Sequence, residues 1–198
     1  MTNNADPVVF GDLARMDSVE VSGRTGCEYD REEGCYRVPC WGNEYKVCPG
    51  GESVVPLGDS LLPPGEYLSL LLLYYLMKSG SDRPLGQWIS EKDVPGGAAF
   101  FRGPHAIPVH WITRRFDTDL SAFEAVCRDL GGTPVDAGDA AFGFEILPRI
   151  PVAVVYWLGD EDFPCEAALL FDKTLEHHLP LDIIFAMAVL VCRVVGKK

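Results

Sequence analysis

Residues 24–48, RTGCEYDREEGCYRVPCWGNEYKVC, carry two turn signals that set the pairing of three strands. REEG reverses the chain once. Gly42-Asn43 reverses it again, since glycine at the first central position suits a two-residue type II′ turn. Pairing Asp30 with Cys35 places Tyr29 opposite Tyr36 and Cys27 opposite Val38. Pairing Trp41 with Glu44 places Cys40 opposite Tyr45 and Val38 opposite Val47. One face then holds Cys27, Tyr29, Tyr36, Val38, Cys40, Tyr45 and Val47. The other holds Arg37, Glu44 and Lys46, with Cys35 and Cys48, and with Pro39 and Trp41. An apolar side and a polar side are what an antiparallel sheet with one buried face requires.

The last third of the chain repeats the lesson. AFGFEIL, PVAVVYWL and CEAALLFD read as three consecutive strands, and a helix follows from Pro180. The second strand is apolar almost throughout, which predicts burial on both faces. EYLSLLLLYYLMKSG reads as a helix begun after Pro63-Pro64 and ended near Gly80. It is apolar nearly all round and so belongs at the centre. CPGGESVVPLGDSLLPPG reads as a Pro/Gly-rich connection, and QWISEKDV as a short strand. Gly96-Gly97 opens a brief helical patch, and a second piece starts at Pro108. Asp117 or Thr118 is expected to cap DLSAFEAVCRDL, which Gly131-Gly132 stops. Residues 1–22 are polar without a clear period and are expected to form a loosely ordered arm, with residues 23–198 as one domain. The order of strands, helices, strands and helix predicts an α+β fold: largely antiparallel sheets, an N-terminal three-strand meander and a C-terminal three-strand run, packed with apolar helices.

Composition narrows the function classes. Of 198 residues, 47% are hydrophobic and 23% charged, enough apolar content for a sizeable core. The net charge is -12, which opposes binding to a nucleic-acid backbone and to anionic membrane surfaces. The uncharged part of the C-terminal apolar stretch, between Asp182 and Arg193, is half of what a bilayer needs. The N-terminal residues MTNNADPVVF lack the basic and apolar regions of a signal peptide. Seven cysteines, an odd number, fit a reducing compartment better than a disulfide framework. A cytoplasmic protein is the expectation. Protein partners, small molecules and oligomers stay open.

The run GDEDFP, residues 159–164, is the first candidate site. Asp160, Glu161 and Asp162 stand between two apolar strands, and Phe163-Pro164 tightens the connection because the residue before proline is pushed to an extended conformation. The run fits a ligand or partner surface, and it equally fits a well-specified strand connection in which Asp160 accepts backbone N–H groups. It lacks the EF-hand pattern, so no metal is assigned. Arg102 and His105 follow the Gly-rich stretch GGAAFFRGP and are candidates to face the loop across a cleft. Cys27, Cys35, Cys40 and Cys48 are spaced by seven, four and seven residues. The sheet separates Cys27 and Cys40 from Cys35 and Cys48, against a four-thiolate zinc centre. Cys35 lies diagonal to Cys48 in this register, and these two are the better candidates for thiol chemistry.

These segments together (GCEYDREEGCYRVPCWGNEYKV, LLLLYYL, GQWISEKDVPGG and LPRIPVAVVYWLGDEDFPCEAALLFDKTLEHHLP) resemble the domain-of-unknown-function family 3786 of bacteria and archaea. The run W-x-G-D-E-x-F-P is its most specific part. The resemblance implies an anaerobic setting. It leaves the cofactor open and carries over no established catalytic residues. Some relatives carry a four-cysteine iron–sulfur module of the corrinoid-protein kind. This chain has no compact cysteine cluster and no cysteine before Cys27. The expected function is a soluble binding or accessory protein in anaerobic, corrinoid- or iron–sulfur-associated metabolism. The alternatives are an enzyme using Asp160 and Glu161, or a subunit of a larger assembly with Trp41, Pro39 or the apolar helices in its interface.

Overall fold

The computed structural model describes residues 6–62 and 65–197. Two antiparallel sheets and seven helices share a hydrophobic core. The first sheet has the order β1-β2-β3-β4, from β1 Glu28–Asp30, β2 Cys35–Cys40, β3 Asn43–Cys48 and β4 Ser53–Pro56. The second has the order β5-β9-β8-β7-β6, from β5 Trp88–Ser90, β6 Thr133–Pro134, β7 Ala140–Leu147, β8 Ile150–Trp157 and β9 Glu166–Asp172. Both expected strand runs are present. Each gains edge strands: β4 from the stretch read as a connection, and β5 and β6 on the second sheet.

The faces of the meander follow the pattern of the sequence. Tyr36, Val38, Cys40, Tyr45 and Val47 are buried, whereas Arg37, Pro39 and Glu44 are exposed. The register of β1 on β2 is the expected one, with Asp30 opposite Cys35. That of β2 on β3 is displaced by two residues: Cys40 pairs with Asn43, and Val38 with Tyr45. The reversing residues are Trp41 and Gly42, both left-handed at φ 45° and 71°, as a type I′ turn needs. Tertiary contacts select this turn. Trp41 is only 4% exposed; its backbone N–H donates to the Ile146 carbonyl at 2.8 Å and its ring N–H to that of Leu130 at 3.3 Å. Trp41 is thus a core residue and a bridge between the sheets, which disfavours it as the interface residue of the assembly alternative. A shift of two preserves the faces, because side chains alternate with period two. It also places Cys35 opposite Cys48, and the two form a disulfide. Their Cα atoms are 4.3 Å apart, the spacing of a non-hydrogen-bonded antiparallel pair. The odd cysteine count therefore holds one bridge and five free thiols. A bridge belongs ordinarily to an oxidising compartment, so the thiols do not support the expected cytoplasmic location.

The expected loose arm is replaced by two helices, α1 Pro7–Ala14 and α2 Ser18–Thr25. Asp6 and Asp17 cap them, accepting from the N–H groups of Val8 and Val19. Phe10, Leu13 and Val21 are buried by them. Residues 1–5 of that stretch lie outside the described residues. The apolar helix α3, Glu66–Lys78, is central as expected, with Leu71, Leu72 and Leu73 fully buried. Its expected start at Pro63-Pro64 lies outside the described residues. Arg24 of α2 closes its other end: the guanidinium donates to the carbonyls of Leu76, Met77 and Ser79. Arg149 in turn donates to the Arg24 carbonyl at 2.6 Å.

Three shorter helices follow: α4 Gly97–Phe100, α5 His110–Phe116 and α6 Leu120–Asp129. Asp119 caps α6 by accepting from Ala122 N–H at 2.9 Å, one or two residues later than expected. The last helix, α7 Leu181–Gly196, packs on α3 and α5 and buries ten of its sixteen residues. No helix among the described residues is long and apolar enough to cross a membrane. The second sheet is centred on β8, buried on both faces as its apolarity predicts.

Candidate functional site

Strand β8 leaves the core at Trp157, and β9 re-enters at Glu166; residues 158–165 form the connection. Its chemistry is local. Asp160 Oδ1 accepts from the backbone N–H groups of Asp162 and Phe163, both at 2.8 Å. The Asp160 N–H donates to the Phe163 carbonyl at 2.9 Å. This is the self-bonded aspartate turn that the residue type favours. Gly159 makes the fold tight: a Cβ there would lie 2.6 Å from Cys165 N and 2.8 Å from the Phe163 carbonyl. The loop is also tied to its neighbour. Asp139 accepts from Leu158 N–H at 2.7 Å through Oδ2 and donates its own N–H to the Tyr156 carbonyl at 2.9 Å.

The pinned loop presents its side chains outward. Asp160, Glu161 and Asp162 are exposed, and Phe163 is 71% exposed, the highest value among the large hydrophobic residues. Trp157 and Leu158 beside it are 38% and 39% exposed. Carboxylates gather around these apolar groups. Asp139 touches Leu158, and Asp117 lies 3.9 Å from the Cys165 sulfur. With Glu166 they make six acidic residues in three segments. Among the described residues none of the six is in an ion pair. No group of three His, Cys, Asp or Glu side chains in a metal-holding arrangement occurs among the described residues.

Arg102 and His105 are placed elsewhere. His105 stacks on Phe100 at 4.5 Å between ring centroids and meets Phe185 of α7 edge-on at 5.4 Å. The acidic loop instead meets the C-terminal part of α5, through Cys165 against Thr113 and Asp117. Arg115 in that part of α5 binds the Val195 carbonyl, ten residues and so about 15 Å along α7 from Phe185. The structure brings Asp160 to Phe163 together with Trp157, Leu158 and Asp139, and packs His105 on Phe100 and Phe185.

Two other polar centres are internal. Asp172, at the end of β9, is 2% exposed. Its carboxylate accepts from the N–H groups of Leu85, Gly86 and Thr174 and from the Thr174 hydroxyl. Burial pushes its pKa up, and these four hydrogen bonds outweigh burial and hold it below the usual aspartate value. Asp172 thereby fastens the segment before β5 to the sheet. His178 is 1% exposed; its Nδ1 lies 2.9 Å from Ser79 Oγ, and its Nε2 has no hydrogen-bond partner among the described residues. Burial holds its pKa below the ordinary histidine value. A serine and histidine at that distance resemble a nucleophile with its base. Ser79 is only 2% exposed, however, and its hydroxyl also faces the Gly80 carbonyl, so the pair closes the end of α3. The free thiols of Cys40, Cys127 and Cys192 are buried, and burial pushes each up to about 12, which keeps them protonated and inert.

Reasoning from residue types named the carboxylates and Phe163 but not Asp139, which anchors the loop from another hairpin. The signal was the adjacent VDAGD turn, whose Gly138 sits at φ 56°. No curated protein and no solved structure matches the chain. A family model does, over residues 17–194, and its run includes both the disulfide-bridged meander and the acidic loop. The chain belongs to the family described as the domain of unknown function DUF3786.

Proposed function

We propose that the protein is a binding or accessory protein whose docking element is the loop 158–165. The carrying observation is Phe163, held 71% in solvent on a loop whose backbone is tied down by Asp160. Solvent opposes this placement of an aromatic ring, and a rigid aromatic anchor is the group that contributes most at protein interfaces. Rigidity matters because a loop already in its bound shape loses little entropy on association. Six carboxylates on the loop and the segments it touches define the partner: a protein surface bearing Lys or Arg around an apolar hollow. Anaerobic metabolism as the setting rests on the family resemblance alone. The exposed position of Asp160 and Glu161 favours docking over the enzymatic use of the loop.

Selection from a random peptide library displayed on phage tests this. Ligands should be enriched in Lys and Arg flanking an apolar residue. Their affinity should fall with added salt, and Phe163→Ala should weaken them by about tenfold or more. Ligands without basic residues, or ligands indifferent to Phe163→Ala, would refute the proposal.

A further inference from the structure

On a chain of net charge -12, one cleft gathers three cations on a partly apolar wall. It has a volume of about 340 Å³ and lies where α5, α6 and the end of α7 meet. Arg115 comes from α5, and Arg193 and Lys197 from the end of α7. Arg193 and Lys197 are four residues apart and so project from one side. Asp129 is the carboxylate on its wall, leaving three positive charges against one negative. Leu61, Val126 and Leu130 supply an apolar floor, and Leu61 is 46% exposed. An adjoining hollow of about 420 Å³ shares Leu61, Asp129 and Leu130 and is lined further by Trp41, Phe144 and Glu145.

The arrangement exceeds what the fold needs. Cations near a helix C-terminus offset its dipole. Arg115 does this directly, donating to the Val195 carbonyl at 2.8 Å with its guanidinium 4.9 Å over the Phe116 ring. That contact orients the planar fork and leaves further N–H donors for the cleft. Arg193 and Lys197 form no ion pair among the described residues. Dipole compensation requires neither a cavity nor an exposed leucine beside the charges. A concave site with an apolar wall and a few converging polar groups is the usual form of a small-molecule site.

We propose that this cleft binds a small amphipathic organic anion, with its acid group at Arg115, Arg193 and Lys197 and its apolar body over Leu61 and Leu130. The inference is independent of the docking loop.

Titration calorimetry on the full chain tests it with three probes: octanoate, inorganic phosphate and octyltrimethylammonium. Octanoate should bind at one site with a Kd of about 1 mM or tighter. The variant Arg193→Gln/Lys197→Gln should weaken it by about tenfold or more, with an unchanged circular dichroism spectrum. Arg114→Gln, on an exposed neighbour, should leave the affinity unchanged. Phosphate should bind more weakly because it lacks the body, and octyltrimethylammonium more weakly because it lacks the charge. The proposal is overturned by no saturable octanoate binding, by equal affinity in the double variant, or by equal affinity for either control probe. Co-sedimentation with phosphatidylglycerol vesicles that octanoate fails to reverse would assign the cations to a lipid surface and overturn it too.

Discussion

Removing the bridge between Cys35 and Cys48 should destabilise the protein by about 3 kcal/mol. The bridge closes a loop of sequence separation 13, and the chain-entropy relation for such a loop gives about 3 kcal/mol at 25 °C. Strand pairing on both sides of the bridge persists without it, so the loss falls on the unfolded state, which regains the freedom of the closed loop. For a chain of this length the melting temperature should drop by roughly 6–12 °C. The perturbation is the double variant Cys35→Ala/Cys48→Ala, measured by calorimetry against the parent with and without a phosphine reductant. Reduced parent and double variant should melt close together, and both below the oxidised parent. Alkylation of the denatured, unreduced chain should modify five cysteines, the number left free. Seven modified cysteines in the unreduced chain, or a variant melting within about 1 °C of the oxidised parent, would refute the register and the bridge together.

Replacing Asp160 by alanine should cost about 1 kcal/mol, since two backbone N–H groups lose their acceptor, whereas Glu161→Gln and Asp162→Asn should stay within about 0.5 kcal/mol; thermal melts compare the three. His178 is held neutral with a depressed pKa, so its contribution is present above the unfolded value of about 6.5 and is lost as pH falls through the lower folded value. Stability against urea should therefore fall below about pH 6.5, and His178→Gln should flatten that slope. Asp172 also has a depressed pKa, so its stabilisation is present above about pH 3.9 and fades as pH falls through its folded value; Asp172→Asn should cost about 3 kcal/mol at neutral pH by denaturant titration. Truncation after Lys173 removes α7 and should leave an aggregated product on gel filtration, because Ile184, Met187, Val191 and Val195 lie fully in the core.

The parts of the fold legible in the sequence were those governed by period. Tyr36, Val38, Tyr45 and Val47 alternate with polar residues, and the alternation survives a register displaced by two. The disulfide, by contrast, exists only because of that displacement. Whether Cys35 meets Cys48 directly or diagonally depends on which two residues turn. Trp41 was drawn into the turn by carbonyls of Leu130 and Ile146, more than 80 residues away in sequence. The N-terminal helices have eight residues each, too few for a period to emerge, although Asp6-Pro7 and the Asp17…Glu20 spacing are start signals. At the acidic loop, Asp160's bonds follow from the residue type. The exposure of Phe163 does not, since an aromatic residue between strands ordinarily turns inward. The packing of His105 against Phe185 was also illegible, because the position of helices along α7 is set by packing between distant segments.

Phe163 and the carboxylates of its loop are the proposed docking surface. Hydroxyl-radical footprinting of the free protein and of its complex with a selected basic ligand tests this at the side chains themselves. Phe163 and Trp157, at 71% and 38% exposure, should oxidise readily in the free protein and be protected in the complex, while exposed Leu85, at the opposite end of β9, should react equally in both. A complex in which Phe163 oxidises as fast as in the free protein would contradict the claim.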